Sequence, residues 1–212
     1  MMKKYFKFLV YSIVTVAYFF ASAGSFEDFF VAIRNDNTAT VNELLSRGFD
    51  PNTRDAKGQP GLTIAMQEHS LKAALALLAH PAVDVNALNQ AGESALMMAA
   101  LKGDLDGVQL LLEHGAKVNQ TGWSPLHYAA TGLNPQVVQL LLSRGAELDA
   151  GSPNGTTPLM MAAQYGSEDS VKLLLDSGAD PKRRNQLDLG VVDFARRAGR
   201  DALVKRLEPL TR

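Results

Sequence analysis

Imidazole is the commonest metal ligand and the side chain best placed to move protons near neutral pH, so the histidines His69, His80, His114 and His127 come first. None stands at H-x-x-x-H or H-E-x-x-H spacing, which would set two imidazoles on one helical face against zinc. Cysteine is absent, which removes thiol catalysis, cysteine zinc sites, disulfides and lipidation at a mature N-terminal cysteine. Asp104 and Asp106 resemble part of a carboxylate pair. They lie in Gly103-Asp104-Leu105-Asp106, however, and acidic side chains at a helix start cap its free N–H groups. Met97, Met98, Met160 and Met161 offer soft sulfur, but their equivalent positions point to packing, where methionine fills irregular gaps. No G-x-S-x-G elbow or glycine-rich phosphate loop occurs. No catalytic residue, metal or cofactor is therefore expected.

Nine cations crowd the end of the chain: Lys182, Arg183, Arg184, Arg196, Arg197, Arg200, Lys205, Arg206 and Arg212. Residues 24–180 hold 9 basic and 18 acidic side chains, and residues 181–212 hold 9 and 4, so an acidic body ends in a cap of charge +5. Such a cap serves either as a solvated closing face or as a surface for an acidic protein, an anionic polymer or a membrane. Nucleic acid is not an expected partner of so acidic a body.

The first 23 residues are of another kind. Lys3, Lys4 and Lys7 precede an apolar run over 8–20, and Ala21-Ser22-Ala23 has the small-x-small form cut by signal peptidase. The expectation is a leader over 1–23, cleaved at about Ala23. The apolar stretch falls short of the roughly 20 residues of a spanning helix, so no stable membrane insertion is expected after cleavage. A retained anchor is the alternative.

What remains must position any functional side chain, and it repeats. Leu62, Leu96, Leu126, Leu159 and Val192 recur at separations of 34, 30, 33 and 33, each followed by small residues such as Ala99-Ala100, Ala129-Ala130 and Ala162-Ala163. About ten residues on comes an i, i+3, i+4 apolar set, as in Val108/Leu111/Leu112, Val138/Leu141/Leu142 and Val171/Leu174/Leu175, the core stripe of a second helix. Gly48, Gly115, Gly145 and Gly178 stand three residues past the last leucine of their sets, where a left-handed residue ends a helix. Ser124-Pro125 and Thr157-Pro158 mark starts, a side-chain cap followed by a proline harmless in the first turn.

Ser124-Pro125-Leu126-His127-Tyr128-Ala129-Ala130 and Leu140-Leu141-Leu142-Ser143-Arg144-Gly145-Ala146 resemble the T-P-L-H-x-A-A and L-L-x-x-G-A signatures of ankyrin repeats. Thr157-Pro158-Leu159-Met160-Met161-Ala162-Ala163 does the same. The resemblance spans about 26–208. It implies an all-α repeat solenoid of paired helices with projecting hairpin loops, the loops and first helices forming a concave face. Four internal repeats are expected between degenerate caps, with units at about 24–56, 57–89, 90–120, 121–153, 154–186 and 187–212. Three departures stand out. His80-Pro81 replaces a glycine stop, so that loop must turn differently. Three residues are missing between Asn119 and Trp123, so the fourth finger should be stunted. The family histidine survives as His127, with Thr63, Met97, Met160 and Asp193 in its place elsewhere.

Function comes from the resemblance alone. It implies a non-catalytic module that binds one protein partner, such as an envelope enzyme that it restrains, protects or helps to mature. A secreted effector acting on a host protein, a structural envelope component and an enzyme built on ankyrin units are the alternatives. A monomer in the periplasm, or outside the cell, is expected. By analogy the contacts are Lys57, Gln59, Gln90, Glu93, Leu101, Lys102, Trp123, Thr131, Asn154, Thr156, Gln164 and Tyr165. Trp123, the sole tryptophan, has two readings: an interface anchor, or an indole filling the hollow left by the short loop.

Overall fold

The computed structural model describes residues 24–212. The expected leader over 1–23 and its cleavage after Ala23 lie outside the described residues. Twelve helices follow in six pairs: α1 (24–34) with α2 (Thr38–Ser46), α3 (Gly61–Gln67) with α4 (Leu71–Leu78), and α5 (Ala95–Lys102) with α6 (Leu105–Glu113). Then come α7 (Pro125–Thr131) with α8 (Pro135–Ser143), α9 (Pro158–Gln164) with α10 (Glu168–Asp176), and α11 (Val191–Arg197) with α12 (Asp201–Leu207). Among the described residues no helix is long and apolar enough to cross a membrane.

First helices pack on first helices, α3 on α5, α5 on α7, α7 on α9 and α9 on α11, while α2 meets α4 and α8 meets both α6 and α10. The small residues make the first row possible: Ala65, Ala99, Ala100, Ala129, Ala130, Ala162, Ala163 and Ala195 are all buried, so backbones approach closely. The second-helix stripes supply the bulk, with Val108, Leu111, Val138, Leu141, Val171 and Leu174 fully enclosed. No single pair could bury both faces, and stacking does it for all. Phe26, Phe29, Phe30 and Phe49 close the first unit with edge-on and tilted ring contacts.

Helix ends follow the local chemistry. Asp104 caps α6 by accepting from the Gly107 amide at 2.9 Å, and Asn37, Asn134 and Ser167 cap α2, α8 and α10 similarly. His114 Nδ1 lies 2.8 Å from the Leu110 carbonyl at the end of α6. Where His80-Pro81 removes the glycine stop, His80 Nδ1 accepts the Ala82 amide at 3.3 Å and the chain turns without a left-handed residue. Met97 and Met160 are buried as expected of packing residues, and they do something further. Their sulfurs accept the backbone amides of Ser94 and Thr157, at 3.5 and 3.4 Å, in the slot that histidine fills in α7. In α3 the same slot holds Thr63, whose buried hydroxyl has no partner among the described residues; the preceding cap is Pro60, which has no N–H to offer it.

Successive loops are tied by one recurring side chain. Asn52 donates to the Ala82 carbonyl and accepts the Asp84 amide, and Asn86 does the same with Gly115 and Lys117. Asn119 repeats it with Gly145 and Glu147. The fourth rung is Asp149, which accepts the Asp180 amide at 3.2 Å but as a carboxylate has nothing to donate to the Gly178 carbonyl. Asp149→Asn is expected to restore that bond and to remove repulsion from Asp180. It should stabilise by about 1 kcal/mol, the ordinary net worth of a hydrogen bond. Urea melts of the two proteins at pH 7.5 check it, and an unchanged midpoint would mean the fourth rung gains nothing from a donor.

Candidate functional site

Each complete finger is a short ring closed by a polar side chain at its base. Asp55 accepts the Lys57 and Gln59 amides, Asn89 those of Ala91 and Glu93, and Asn185 those of Leu187 and Leu189. Ser152 plays this part in the fifth unit by accepting from the Thr156 amide. Isolated antiparallel bridges join Arg54 to Pro60 and Arg184 to Gly190. The fourth unit has no such ring. Gln120 instead reaches back to the Gly92 carbonyl at 3.0 Å, and Trp123 stands where finger gives way to α7.

Beside this stunted finger lies a hollow of about 290 Å³ lined by Leu101, Trp123, His127, Tyr128, Thr131 and Met161. Three of these, Leu101, Trp123 and Thr131, belong to the twelve expected contacts. Trp123 is 37% exposed and sets its ring edge-on to His127, with centroids 5.2 Å apart, so it walls the hollow without filling it. Leu101, 38% exposed, and Tyr165, 53% exposed, carry further apolar surface into solvent.

The walls are rigid because their polar atoms bond inward. His127 is buried: Nδ1 accepts from Ser124, whose amide lies at 3.1 Å, and Nε2 donates to the Thr156 carbonyl at 2.9 Å. Burial is the main cause that holds this imidazole below its ordinary pKa, against the Thr156 and Ala150 carbonyls, which pull the other way. Tyr128 donates its hydroxyl to Glu93 at 2.8 Å. Its phenol is pushed well above its usual range, first by burial and then by that carboxylate. The other Glu93 oxygen accepts from Asn89 at 2.8 Å, so this expected contact serves to brace the third finger against α7.

The remaining expected contacts divide. Lys57, Gln90, Lys102 and Asn154 are exposed, while Gln59 and Gln164 are half-buried. Thr156 requires correction. Repeat register puts it at a tip, yet it is 2% exposed. Its amide bonds to Ser152, its hydroxyl accepts from Asn185 at 3.2 Å and its carbonyl accepts from His127, so no side-chain surface is left for a partner.

Among the described residues no group of three or more His, Asp or Glu side chains is placed to hold a metal ion. The basic end is partly neutralised: Arg184 pairs with Asp188, Arg196 with Asp193 and Glu208, and Arg206 with Glu168. Arg200 is structural, its guanidinium donating to the Ala162, Ala163 and Gly166 carbonyls at the end of α9.

Residues 29–122 and 117–185 match the family described as ankyrin repeats (3 copies). The chain is 28% identical over 170 residues to an ankyrin repeat-containing protein of Treponema pallidum, which covers 80% of this chain and 47% of that one. It is 31% identical over 157 residues to the Escherichia coli ankyrin repeat protein YahD, covering 71% and 63%. It is also 30% identical over 159 residues to the human transient receptor potential cation channel subfamily A member 1, covering 70% and 14%. The chain thus spans less than two thirds of each of these relatives.

Proposed function

The chain belongs to the ankyrin-repeat family, and we propose that it is a non-catalytic binding module of the bacterial periplasm that holds one protein across its fingers and first helices. Ankyrin repeats are protein–protein interaction modules, and the observation that carries the reading here is the apolar hollow behind Trp123. Trp123 and Leu101 line this one hollow and are both partly exposed, and apolar surface gathered in this way marks an interaction site. The location rests on the leader pattern: three lysines, a short apolar run and Ala21-Ser22-Ala23. The partner would be an envelope protein that the module restrains, protects or helps to mature.

Two measurements test this. Material from a periplasmic extract is expected to begin at Gly24 by intact mass, whereas an intact N-terminus in the membrane fraction would overturn the location. Trp123→Ala is expected to lower affinity for the envelope protein recovered with the module by roughly 2 kcal/mol, the scale of an interface anchor. Thermal stability should fall by only about 1 kcal/mol, the worth of the ring contact with His127. Unchanged affinity in the folded variant would move the interface elsewhere.

A further inference from the structure

The chemistry of the hollow and of the surface next to it specifies what kind of partner fits. In the lining, the Thr131 hydroxyl donates to the His127 carbonyl at 2.9 Å, the Tyr128 hydroxyl is held by Glu93, and both His127 nitrogens are bonded inward. The indole N–H of Trp123 is left without an internal partner among the described residues. An occupant therefore meets carbon on nearly every side, and a polar group placed there would lose its water for nothing. The volume, about 290 Å³, sits at the lower end of the roughly 300–1,000 Å³ of ligand pockets and has room for one large side chain.

Charge selects the rest. Met161 of α9 lines the hollow and α11 packs directly on α9. Arg197 holds in α11 the register that Leu101 and Thr131 hold in α5 and α7, two residues past the aligned alanines Ala195, Ala99 and Ala129. With helix axes about 8–10 Å apart, it stands on the same row about two steps from Thr131. Arg197, Lys182, Arg183, Lys205 and Arg212 are exposed or terminal cations that form no ion pair among the described residues. Lys102, which follows Leu101 in the chain, is likewise exposed and forms no ion pair among the described residues.

We infer that the hollow seats one large apolar side chain of a partner protein whose flanking surface is acidic, the carboxylates lying toward Arg197 and the basic cap. This rests on the binding-module reading and narrows it. Solvated cations steer an acidic partner and set its orientation, while the buried apolar anchor supplies the tight contact.

The test uses the mature chain, a random twelve-residue displayed peptide library, and Trp123 emission as the reporter, since the single tryptophan walls the site. Enriched sequences should carry one Leu, Met, Phe or Trp beside two or more acidic residues, and the free peptides should shift Trp123 emission. Thr131→Phe, which fills the hollow, should weaken them at least tenfold. Leu101→Glu, which sets a carboxylate on the rim, should do the same, so that a folding defect in one variant does not decide the matter. Arg197→Glu should cost three- to tenfold, with a smaller salt dependence than the parent. Enrichment of basic or purely acidic sequences, no enrichment at all, or tenfold-insensitive binding in folded Thr131→Phe and Leu101→Glu would overturn the inference. Peptides that bind elsewhere on the chain would overturn it while leaving the module reading standing. Failure to recover any specific envelope partner would count against the module itself.

Discussion

Gly166→Ala is expected to cost about 3 kcal/mol or more, the largest loss from one added methyl group at any glycine among the described residues. Gly166 lies between α9 and α10, where the chain turns under the end of α7. A Cβ built there overlaps the Ala130 carbonyl oxygen and comes within 3.0 Å of Ala162 Cα and 3.2 Å of its oxygen. All of these are backbone atoms of packed helices and cannot rotate aside. Relief requires α9 to lift from α7, which strips buried contact from Met160, Ala162 and Ala163 and strains the Arg200 bond to the Gly166 carbonyl at 2.9 Å. Gly178 gives the contrast. It has φ +96° and open space around its Cβ position, so Gly178→Ala should cost only about 1–2 kcal/mol, from the left-handed backbone alone. Gly178→Val should cost more than about 1 kcal/mol for the same reason. Urea midpoints of the alanine variants check the order, and a larger loss at Gly178 than at Gly166 would contradict the packing of α9 on α7. Because the stack couples through nearest neighbours, hydrogen exchange in Gly166→Ala should rise first in α9 to α12.

Much of this architecture is legible in the sequence, and physical reasons separate what can be read there from what cannot. Helix starts at Pro125 and Pro158 and stops at Gly115, Gly145 and Gly178 are properties of one residue and its immediate neighbours, so the sequence carries them openly. The stunted fourth finger was legible too, as a gap of three residues before Trp123. Its consequence was not. Whether the indole fills the gap or walls it depends on how far Leu101, Met161 and Tyr128 reach from three different helices.

Thr156 shows the same limit from the other side: register assigns it a finger tip, but the Ser152 ring and Asn185 of the next unit turn it inward. The loop ladder of Asn52, Asn86, Asn119 and Asp149 recurs at 34, 33 and 30 residues and could have been found by aligning units. The sulfur acceptors Met97 and Met160 could have been found likewise, from their place in the histidine slot. In both cases the signal is a position compared across units, not a motif within one.

That slot gives the final expectation, a pH-dependent stability that resides in His127. The ring must be neutral to do its work, since Nδ1 has to accept the Ser124 amide while Nε2 donates to Thr156. A protonated ring would offer a donor where an acceptor is required. Burial, which disfavours the charged ring, is the main cause that holds the folded pKa below the ordinary value of about 6.5, against the pull of the Thr156 and Ala150 carbonyls, and the unfolded chain takes up the proton first. The stabilisation is complete above that unfolded value and is lost progressively as pH falls below it toward the lowered folded value. His127→Ala should cost about 3 kcal/mol at pH 7.5, because it leaves the buried Ser124 amide and Thr156 carbonyl unpaired and opens a void under Trp123. His127→Met isolates the proton. It copies Met97 and Met160, keeps an acceptor for the Ser124 amide and loses the tie to the fifth finger, so its cost at pH 7.5 should be about 1–2 kcal/mol. At pH 5 the parent has lost part of its advantage and the variant has not, so the gap between their urea midpoints should close as the pH is lowered from 7.5. Parallel pH profiles for the two proteins would show that the buried imidazole is not the group that titrates.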